Sequence, residues 1–430
     1  SPAVDPTGQF VAFTGFDDAR RGYQVRRLYV MDRDGGNVRL VSGDFDRDVA
    51  NPVWDAGGSG LYFQYDDPGT TNIGYISLDG EVTKVASNVG GTSLGRPYAS
   101  GSFSKFGNRA LAYTQSRPDY PAEVAIVPDK PGAKPKRLTH LNRDLFEQRK
   151  LASTEEFWYE SSFDGEKIQG WIVKPPGFDR RTVPGWLALP PGFDPQKKYP
   201  LILEIHGGPF ANYGDRFAAE IQLYAAAGYV VLYTNPRGST GYGQRFADLI
   251  HHSYPAKGDL EDLMSGIDAV IDRGYVDKER LFVTGGSGGG ILTAWLVGKT
   301  DRFRAAVAQK PAINWYSFVL TTDMYPYFTQ YWFPGPPWEH VKHYLERSPL
   351  SQVGNVTTPT MLITGEVDYR TPISESEQFY QALRLRQVDT MLVRVPGASH
   401  AIVARPSRMV MKVAYILKWF EKYGGEPIEN

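Results

Sequence analysis

Glycines surround a single serine in the run 285–289, whose sequence is Gly-Gly-Ser-Gly-Gly. The run follows an apolar segment typical of a buried strand and precedes the segment 291–299, which is typical of a helix. Glycines permit the sharp, strained turn that raises a nucleophilic serine hydroxyl at the carboxyl edge of a sheet, the G-x-S-x-G pattern. The pattern alone is weak, because glycine-rich turns after strands are common. A nucleophilic Ser287 therefore requires a base and an orienting carboxylate from elsewhere in the chain.

Two downstream loops supply these groups. Asp368 and His400 each lie just beyond a short apolar run, so both are predicted at the carboxyl ends of strands, on the same side of the sheet as Ser287. We predict that Ser287 is the nucleophile, that His400 is the general base and then acid, and that Asp368 holds the imidazole tautomer. Glu366 is the rival carboxylate in the same loop. The structural alternatives are a capping histidine and an aspartate that caps a helix near Pro372.

A serine nucleophile also needs donors for the developing oxyanion, each worth about 2.7–4 kcal/mol of barrier. One is expected from the N–H of Gly288, the residue after the serine. The other is expected from the loop His206-Gly207-Gly208-Pro209, where we favour the N–H of Gly208. His206 is interpreted as shaping this loop, and a purely structural turn is the alternative for the whole loop.

Further candidates concern substrate binding. Arg237 could clamp a substrate carboxylate, although a structural ion pair is the favoured interpretation because arginine forks commonly lock loops. The segment 314–338 is rich in aromatic residues, which could line an apolar pocket beside the serine or form an aromatic core or interface patch. The pocket candidates in this segment are Trp315, Tyr316, Phe318, Tyr331 and Trp332.

Short Val/Ile/Leu-rich runs alternate with amphipathic segments from about residue 155 onward. Continuous apolar runs of this length indicate parallel strands covered on both faces, and the i, i+3, i+4 spacing between them indicates helices. We predict a doubly wound, mostly parallel α/β sheet of the α/β-hydrolase class.

The earlier part of the chain contains a repeat of about 50 residues. Phe13, Phe63 and Tyr113 recur at that spacing, and alternating apolar runs flank the turn pairs at 34–35 and 79–80. Four short strands per repeat are typical of a propeller blade, so an all-β domain of about three blades is predicted. Because propellers close with about 4–8 blades, we expect the chain to be the C-terminal part of a larger protein. A small open β-array is the alternative.

The predicted organisation has three parts: β-repeats over 1–145, a linker with the first strands over 146–199, and the catalytic domain over 200–430. The middle part contains a duplication, since the ten residues from 170 recur from 185 with seven identities. The second copy leads directly into the strand predicted at 200–205, so the first copy is expected to be an extra edge strand or a loop, and a sequence artefact is the alternative.

Composition excludes several classes of protein. Lys and Arg total 47 against 48 Asp and Glu, so no net charge attracts nucleic acid or an anionic membrane. The absence of cysteine excludes disulfides, thiolate nucleophiles and Cys-ligated zinc. It leaves the compartment open between a reducing cytosol and an oxidising periplasm. No run approaches the roughly 20 apolar residues of a membrane span, so a soluble protein is expected, and no metal or organic cofactor is implied.

The motifs together, over residues 155–425, resemble the prolyl oligopeptidase family of serine peptidases in its acylaminoacyl-peptidase-like branch. The resemblance rests on HGGPFANYG at 206–214, TNPRGSTGYGQRF at 234–246, GGSGGG at 285–290, GEVDYRTP at 365–372 and GASHAI at 397–402. It implies a propeller that often has about seven blades and a gated cavity that admits short peptides. His206 stands where some members have a catalytic tyrosine, which implies an oxyanion hole made of backbone donors.

We therefore expect a serine peptidase that cleaves short peptides after apolar or small residues through an acyl-enzyme. An esterase or amidase with the same triad is the first alternative, since fold and triad do not separate these activities. A non-catalytic propeller scaffold is the second. The expected partners are peptide substrates, and exposed blade edges suggest a homo-oligomer or association with a missing propeller segment.

Overall fold

The computed structural model describes residues 2–107, 109–129, 132–176 and 197–424. These residues form two compact units. The β-repeat unit comprises residues 1–150, 212–218 and 239–249, and the α/β unit comprises the remainder of the chain. The second copy of the duplicated segment, 185–194, lies outside the described residues.

The β-repeat unit contains three antiparallel sheets of four strands each. The first sheet is β1 (Ala3–Val4), β2 (Phe10–Gly15), β3 (Arg27–Asp32) and β4 (Arg39–Leu40). The second is β5 (Ala50–Trp54), β6 (Gly60–Asp67), β7 (Thr70–Ser77) and β8 (Val82–Ala86). The third is β9 (Phe103–Phe106), β10 (Ala110–Arg117), β11 (Tyr120–Pro128) and β12 (Lys136–Arg137). Strands pair in chain order within each sheet, so the prediction of three blade-like repeats is confirmed.

The repeated aromatic residues occupy equivalent places in these sheets. Phe13, Phe63 and Tyr113 all lie on the second strand of their sheet. Phe63 and Tyr113 are buried in two apolar clusters that join the first sheet to the second and the second to the third. Phe13 is half-buried and lies in neither cluster, so the 50-residue spacing places two of the three aromatic side chains between neighbouring sheets.

The α/β unit is built on one sheet of eight strands, in the order β13-β14-β16-β15-β17-β18-β19-β20. Its strands are β13 (Ser153–Glu160), β14 (Lys167–Lys174), β15 (Tyr199–Ile205), β16 (Val230–Asn235), β17 (Val276–Gly286), β18 (Ala305–Gln309), β19 (Thr360–Gly365) and β20 (Thr390–Val395). From β16 to β20 all neighbours are parallel, whereas β13 and β14 pair antiparallel. The first copy of the duplicated segment begins in β14, which lies between β13 and β16, so the expectation that this copy is an edge strand or a loop is wrong.

Ten α-helices connect these elements. They are α1 (Arg143–Phe146), α2 (Ala219–Ala226), α3 (Gln244–Asp248), α4 (Lys257–Ile271), α5 (Gly288–Val297), α6 (Trp315–Thr321), α7 (Tyr325–Tyr331), α8 (Val341–Glu346), α9 (Ile373–Leu385) and α10 (Pro406–Lys422), within the described ranges. The apolar stripe of α4 is buried through Leu263, Ile267 and Val270. Every residue of α5 is buried, because this helix packs in the main core directly after the serine turn. No helix among the described residues has both the length and the apolar character needed to cross a membrane.

Candidate active site

The turn between β17 and α5 holds Ser287 in an uncommon backbone conformation. Its φ of 59° and ψ of −119° lie in a region that costs a non-glycine residue about 1–3 kcal/mol and that recurs at functional sites. The carbonyl of Gln309 accepts the N–H of Ser287 at 2.9 Å, and the carbonyl of Ser287 accepts the N–H of Ile291 at 2.9 Å. Ser287 itself is half-buried, so its side chain retains some exposure.

Neighbouring backbone explains the glycines around this serine. A Cβ atom on Gly289 would lie 2.0 Å from the carbonyl oxygen of Ile205 at the end of β15. A Cβ atom on Gly290 would lie 2.5 Å from the carbonyl oxygen of Gln309 at the end of β18. Since backbone atoms cannot move aside as a flexible side chain can, the turn accepts side chains at few positions.

The two predicted oxyanion donors are brought into contact. A Cβ atom on Gly288 would lie 2.9 Å from the backbone nitrogen of Gly208, so these two segments of backbone touch. Gly208 has a φ of 120°, which L-residues with side chains rarely adopt. Glycine at both positions therefore allows the close approach that two N–H donors to one oxyanion require.

Asp368 and His400 form a hydrogen-bonded pair. The imidazole Nδ1 lies 2.8 Å and 3.0 Å from the two carboxylate oxygens of Asp368, which is 2% exposed. The backbone N–H groups of Arg370 and Thr371 donate to the same carboxylate at 3.0 Å and 2.9 Å. Burial opposes ionisation of Asp368, but the hydrogen bond and charge of His400 and the Thr371 bonds outweigh burial and lower its pKa.

The pKa of His400 lies below the ordinary value for histidine. Burial is the main cause, and the charges of Lys310 and Arg370 lower the pKa further, against the opposing effect of Asp368. A neutral imidazole with Nδ1–H directed at Asp368 leaves Nε2 as a proton acceptor, as general-base catalysis requires. In the described part of the chain no hydrogen bond joins the Ser287 hydroxyl to this imidazole.

The rival carboxylate has a different environment. Glu366 is exposed and lies 3.5 Å from the guanidinium of Arg394. Of the two carboxylates in this loop, only Asp368 contacts His400 among the described residues.

His206 is buried in the loop after β15. Its Nδ1 lies 2.7 Å from the carbonyl oxygen of Gly207, and burial lowers its pKa to about 4. A neutral ring bonded within its own loop is consistent with the shaping role that the sequence predicts.

Arg237 is engaged inside the protein. Its guanidinium makes bidentate contacts with Asp262 at 2.8–2.9 Å and with Asp164 at 3.0–3.1 Å. Asp262 also accepts the backbone N–H of Arg237 at 2.9 Å. These contacts favour the ion-pair interpretation over the substrate clamp. The carboxylate of Asp262, a residue of α4, therefore fixes both the backbone and the guanidinium of Arg237.

The aromatic segment divides into buried and accessible residues. Trp315 and Phe318 are each 1% exposed in the main core, and Trp332 is also buried there. Tyr316 and Tyr331 are half-buried. The core interpretation therefore suits Trp315 and Phe318, and the two tyrosines retain surface for a ligand.

Sequence reasoning missed Tyr254, which lies far from Ser287 in the chain. The buried hydroxyl of Tyr254 donates to the carbonyl of Gly288 at 2.7 Å, and so braces the first turn of α5. The carbonyl of Tyr254 in turn accepts the Nε–H of Arg347 at 2.8 Å. No motif indicates this contact, because a buried tyrosine hydroxyl can donate to any carbonyl within reach.

A mostly parallel eight-stranded sheet with a strained serine turn and an Asp–His pair beyond later strands defines the α/β-hydrolase class, as predicted. Residues 215–426 match the model described as the prolyl oligopeptidase family. The matched part of the chain, residues 215–426, belongs to this family.

Individual relatives agree with this assignment. The chain is similar to the uncharacterized peptidase YuxL of Bacillus subtilis, with 35% identity over 86% of this chain and 53% of the relative. It is similar to dipeptidyl-peptidase 5 of Porphyromonas gingivalis, with 28% identity over 98% of this chain and 59% of the relative. The acylaminoacyl peptidase of Pyrococcus horikoshii superimposes with a TM-score of 0.81 at 25% identity, over 98% of this chain and 62% of that one. The chain thus spans between half and two thirds of the length of these proteins.

The packing of the serine turn yields a first prediction. Gly289→Ala should destabilise the α/β unit by about 2–3 kcal/mol, because the new methyl group overlaps the Ile205 carbonyl. Thermal unfolding measures the loss. Gly354→Ala is the matched control, since no atom lies within 4 Å of a Cβ at that position. Equal melting temperatures for the two variants would contradict the proposed backbone contact.

The brace on α5 yields a second prediction. Tyr254→Phe should lower kcat about fivefold with little change in KM, since one buried hydrogen bond is worth about 1 kcal/mol. Tyr344→Phe is the matched control, because its hydroxyl also donates to a glycine carbonyl, that of Gly335, at 2.8 Å. Both variants should lose similar stability, and only Tyr254→Phe should lose turnover. A parallel loss of kcat in both variants would show that the effect is merely structural.

Proposed function

We propose that this chain carries the catalytic machinery of a serine peptidase that hydrolyses short peptides through an acyl-enzyme. The observation that carries the proposal is the hydrogen-bonded Asp368–His400 pair, on loops of the sheet that also holds Ser287 in its strained turn. Membership of the prolyl oligopeptidase family supports the same activity.

In the proposed reaction the Ser287 hydroxyl attacks the scissile carbonyl while its proton passes to Nε2 of His400. Asp368, already bonded at Nδ1, stabilises the imidazolium that results. The N–H groups of Gly288 and Gly208 bind the oxyanion. The carbon–nitrogen bond then breaks, and the leaving amine takes the proton from Nε2.

Deacylation repeats these steps with water. Nε2 of His400 takes a proton from the attacking water, which forms a second tetrahedral intermediate at the acyl carbon. The intermediate collapses to a carboxylic acid, and Ser287 regains its proton from His400. Water is the co-reactant that balances the second half of the reaction, and His400 carries the proton in both halves.

The proposed substrates are short peptides with an apolar or small side chain at the cleaved residue. Relatives named as dipeptidyl and acylaminoacyl peptidases support the peptide class. Tyr316 and Tyr331 are the candidates for aromatic surface in the pocket, because they keep partial exposure within the aromatic segment. We also propose that the exposed sheet edges of the β-repeat unit mediate association, with a second copy or with further blades, which light scattering would test.

An esterase or amidase is the second candidate, because the same triad serves all three chemistries. Turnover of a peptide p-nitroanilide against a p-nitrophenyl ester distinguishes them. Ester turnover without anilide turnover would overturn the peptide assignment. A non-catalytic scaffold would instead fail to react with a fluorophosphonate at all.

The nucleophile assignment gives a third prediction. Ser287→Ala should abolish fluorophosphonate labelling and lower kcat at least about 10⁴-fold, with the melting temperature near that of the wild type. Ser351→Ala, an exposed serine in the same unit, should retain labelling and turnover. Retained turnover in Ser287→Ala would place the nucleophile elsewhere in the chain.

A further inference from the structure

The strand end at Gln309 meets two of the three proposed catalytic loops. The carbonyl of Gln309, the last residue of β18, holds the backbone N–H of Ser287 at 2.9 Å. Lys310 follows, and its carbonyl accepts the hydroxyl of Thr371 at 3.0 Å. Since Thr371 also bonds the carboxylate of Asp368 through its N–H, the strand end is tied to both the serine turn and the aspartate loop.

The side chain of Lys310 reaches the third loop. Its ammonium donates to the backbone carbonyl of His400 at 2.6 Å. This is a charge-assisted hydrogen bond, stronger and more directional than a bond between neutral groups. It holds the backbone of the residue that carries the imidazole, whereas Asp368 holds the imidazole ring itself.

Lys310 occupies a strained backbone conformation to make these contacts. Its φ of 41° lies in the left-handed region, where a residue with a side chain is disfavoured by about 1 kcal/mol or more. Its N–H donates to the carbonyl of Ile363 in β19 at 2.7 Å. The N–H, the carbonyl and the ammonium of Lys310 are therefore all hydrogen-bonded. Strain of this kind persists only where surrounding bonds over-determine the conformation.

We propose that Lys310 is a positioning residue of the active site, which fixes the loop of His400 relative to the turn of Ser287. The inference rests on the proposed function, because it assigns Lys310 a part in presenting the base to the nucleophile. Lys310 directly follows Gln309, which bonds Ser287, and its side chain bonds His400. This single residue therefore helps to set the distance between the Ser287 hydroxyl and the His400 imidazole, which must exchange a proton.

The charge of Lys310 has a second consequence. The charged groups that act on the imidazole are Asp368, Lys310 and Arg370, and the guanidinium of Arg370 is itself paired with Asp323 at 2.7 Å. Burial lowers the pKa of His400 most, and the Lys310 charge adds to that effect. Removal of this charge should therefore raise the pKa of His400, so that the base becomes protonated at higher pH.

The fourth prediction tests both consequences. Lys310→Met keeps a long side chain and the same left-handed backbone conformation, but it removes the ammonium group. We expect about a tenfold loss of kcat/KM at neutral pH and a displacement of the acidic limb of the kcat/KM profile to higher pH. Lys310→Arg, which restores a charged donor, should recover most of the activity and return the limb towards the wild-type position.

Lys198→Met is the matched control. The Lys198 ammonium also donates to a backbone carbonyl, that of Gly274, but it precedes β15 at the amino edge of the sheet. This variant should leave both the rate and the pH profile unchanged. A Lys310→Met profile that overlays the wild type, or the same change in Lys198→Met, would overturn the inference.

A measurement without turnover separates this inference from the proposed function. Histidine-labelled NMR titration of the Ser287→Ala variant, with and without Lys310→Met, reports the imidazole of His400 among seven histidines, assigned through His400→Gln. An upward displacement of the His400 titration midpoint supports the inference, and an unchanged midpoint overturns it. If the wild type fails to react with fluorophosphonate, that result contradicts the proposed function but not the inference about Lys310.

Discussion

Contact between backbone segments is the constraint on which the site depends. The carbonyls of Ile205 and Gln309 stand so close to the turn after β17 that Gly289 and Gly290 can carry no side chain. The parallel pairing of β15, β17 and β18 fixes those carbonyls, so the core of the α/β unit determines the shape of the turn. Ser287 is the one residue of the run 285–290 that carries a side chain, and it is half-buried.

Two buried carboxylates near that turn fix loops in the same way, by accepting backbone N–H groups. Asp368 accepts backbone N–H groups from the next residues of its own loop, and Glu375 accepts those of Ile313 and Asn314 across two elements. Burial raises the pKa of Glu375, whereas the contacts of Asp368 lower its pKa despite burial. Groups held in this way keep their orientation during a reaction, which is what preorganised catalysis requires.

Much of the fold and the core of the site could be predicted from local pattern. Strand ends, loop order and glycine spacing indicate where Ser287, Asp368 and His400 lie, because carboxyl ends of parallel strands share one edge of a sheet. The 50-residue period predicts the three four-stranded sheets. Periodicity could not decide whether Trp315 is a core residue or lines a substrate pocket, since an aromatic side chain suits both environments. Nor does local pattern indicate that the carboxylate of Asp262 pairs with Arg237, because the two residues lie in different segments of the chain.

The sequence by itself determined the class of sheet, the repeats before it and the residue types able to perform acyl transfer, because these depend on spacing along the chain. The tertiary structure alone decided which distant groups meet. It joined the hydroxyl of Tyr254 to the serine turn and the ammonium of Lys310 to the histidine loop. A hydrogen bond depends on distance and direction in space, and a chain that folds through strands of fixed register sets both only when the core has closed.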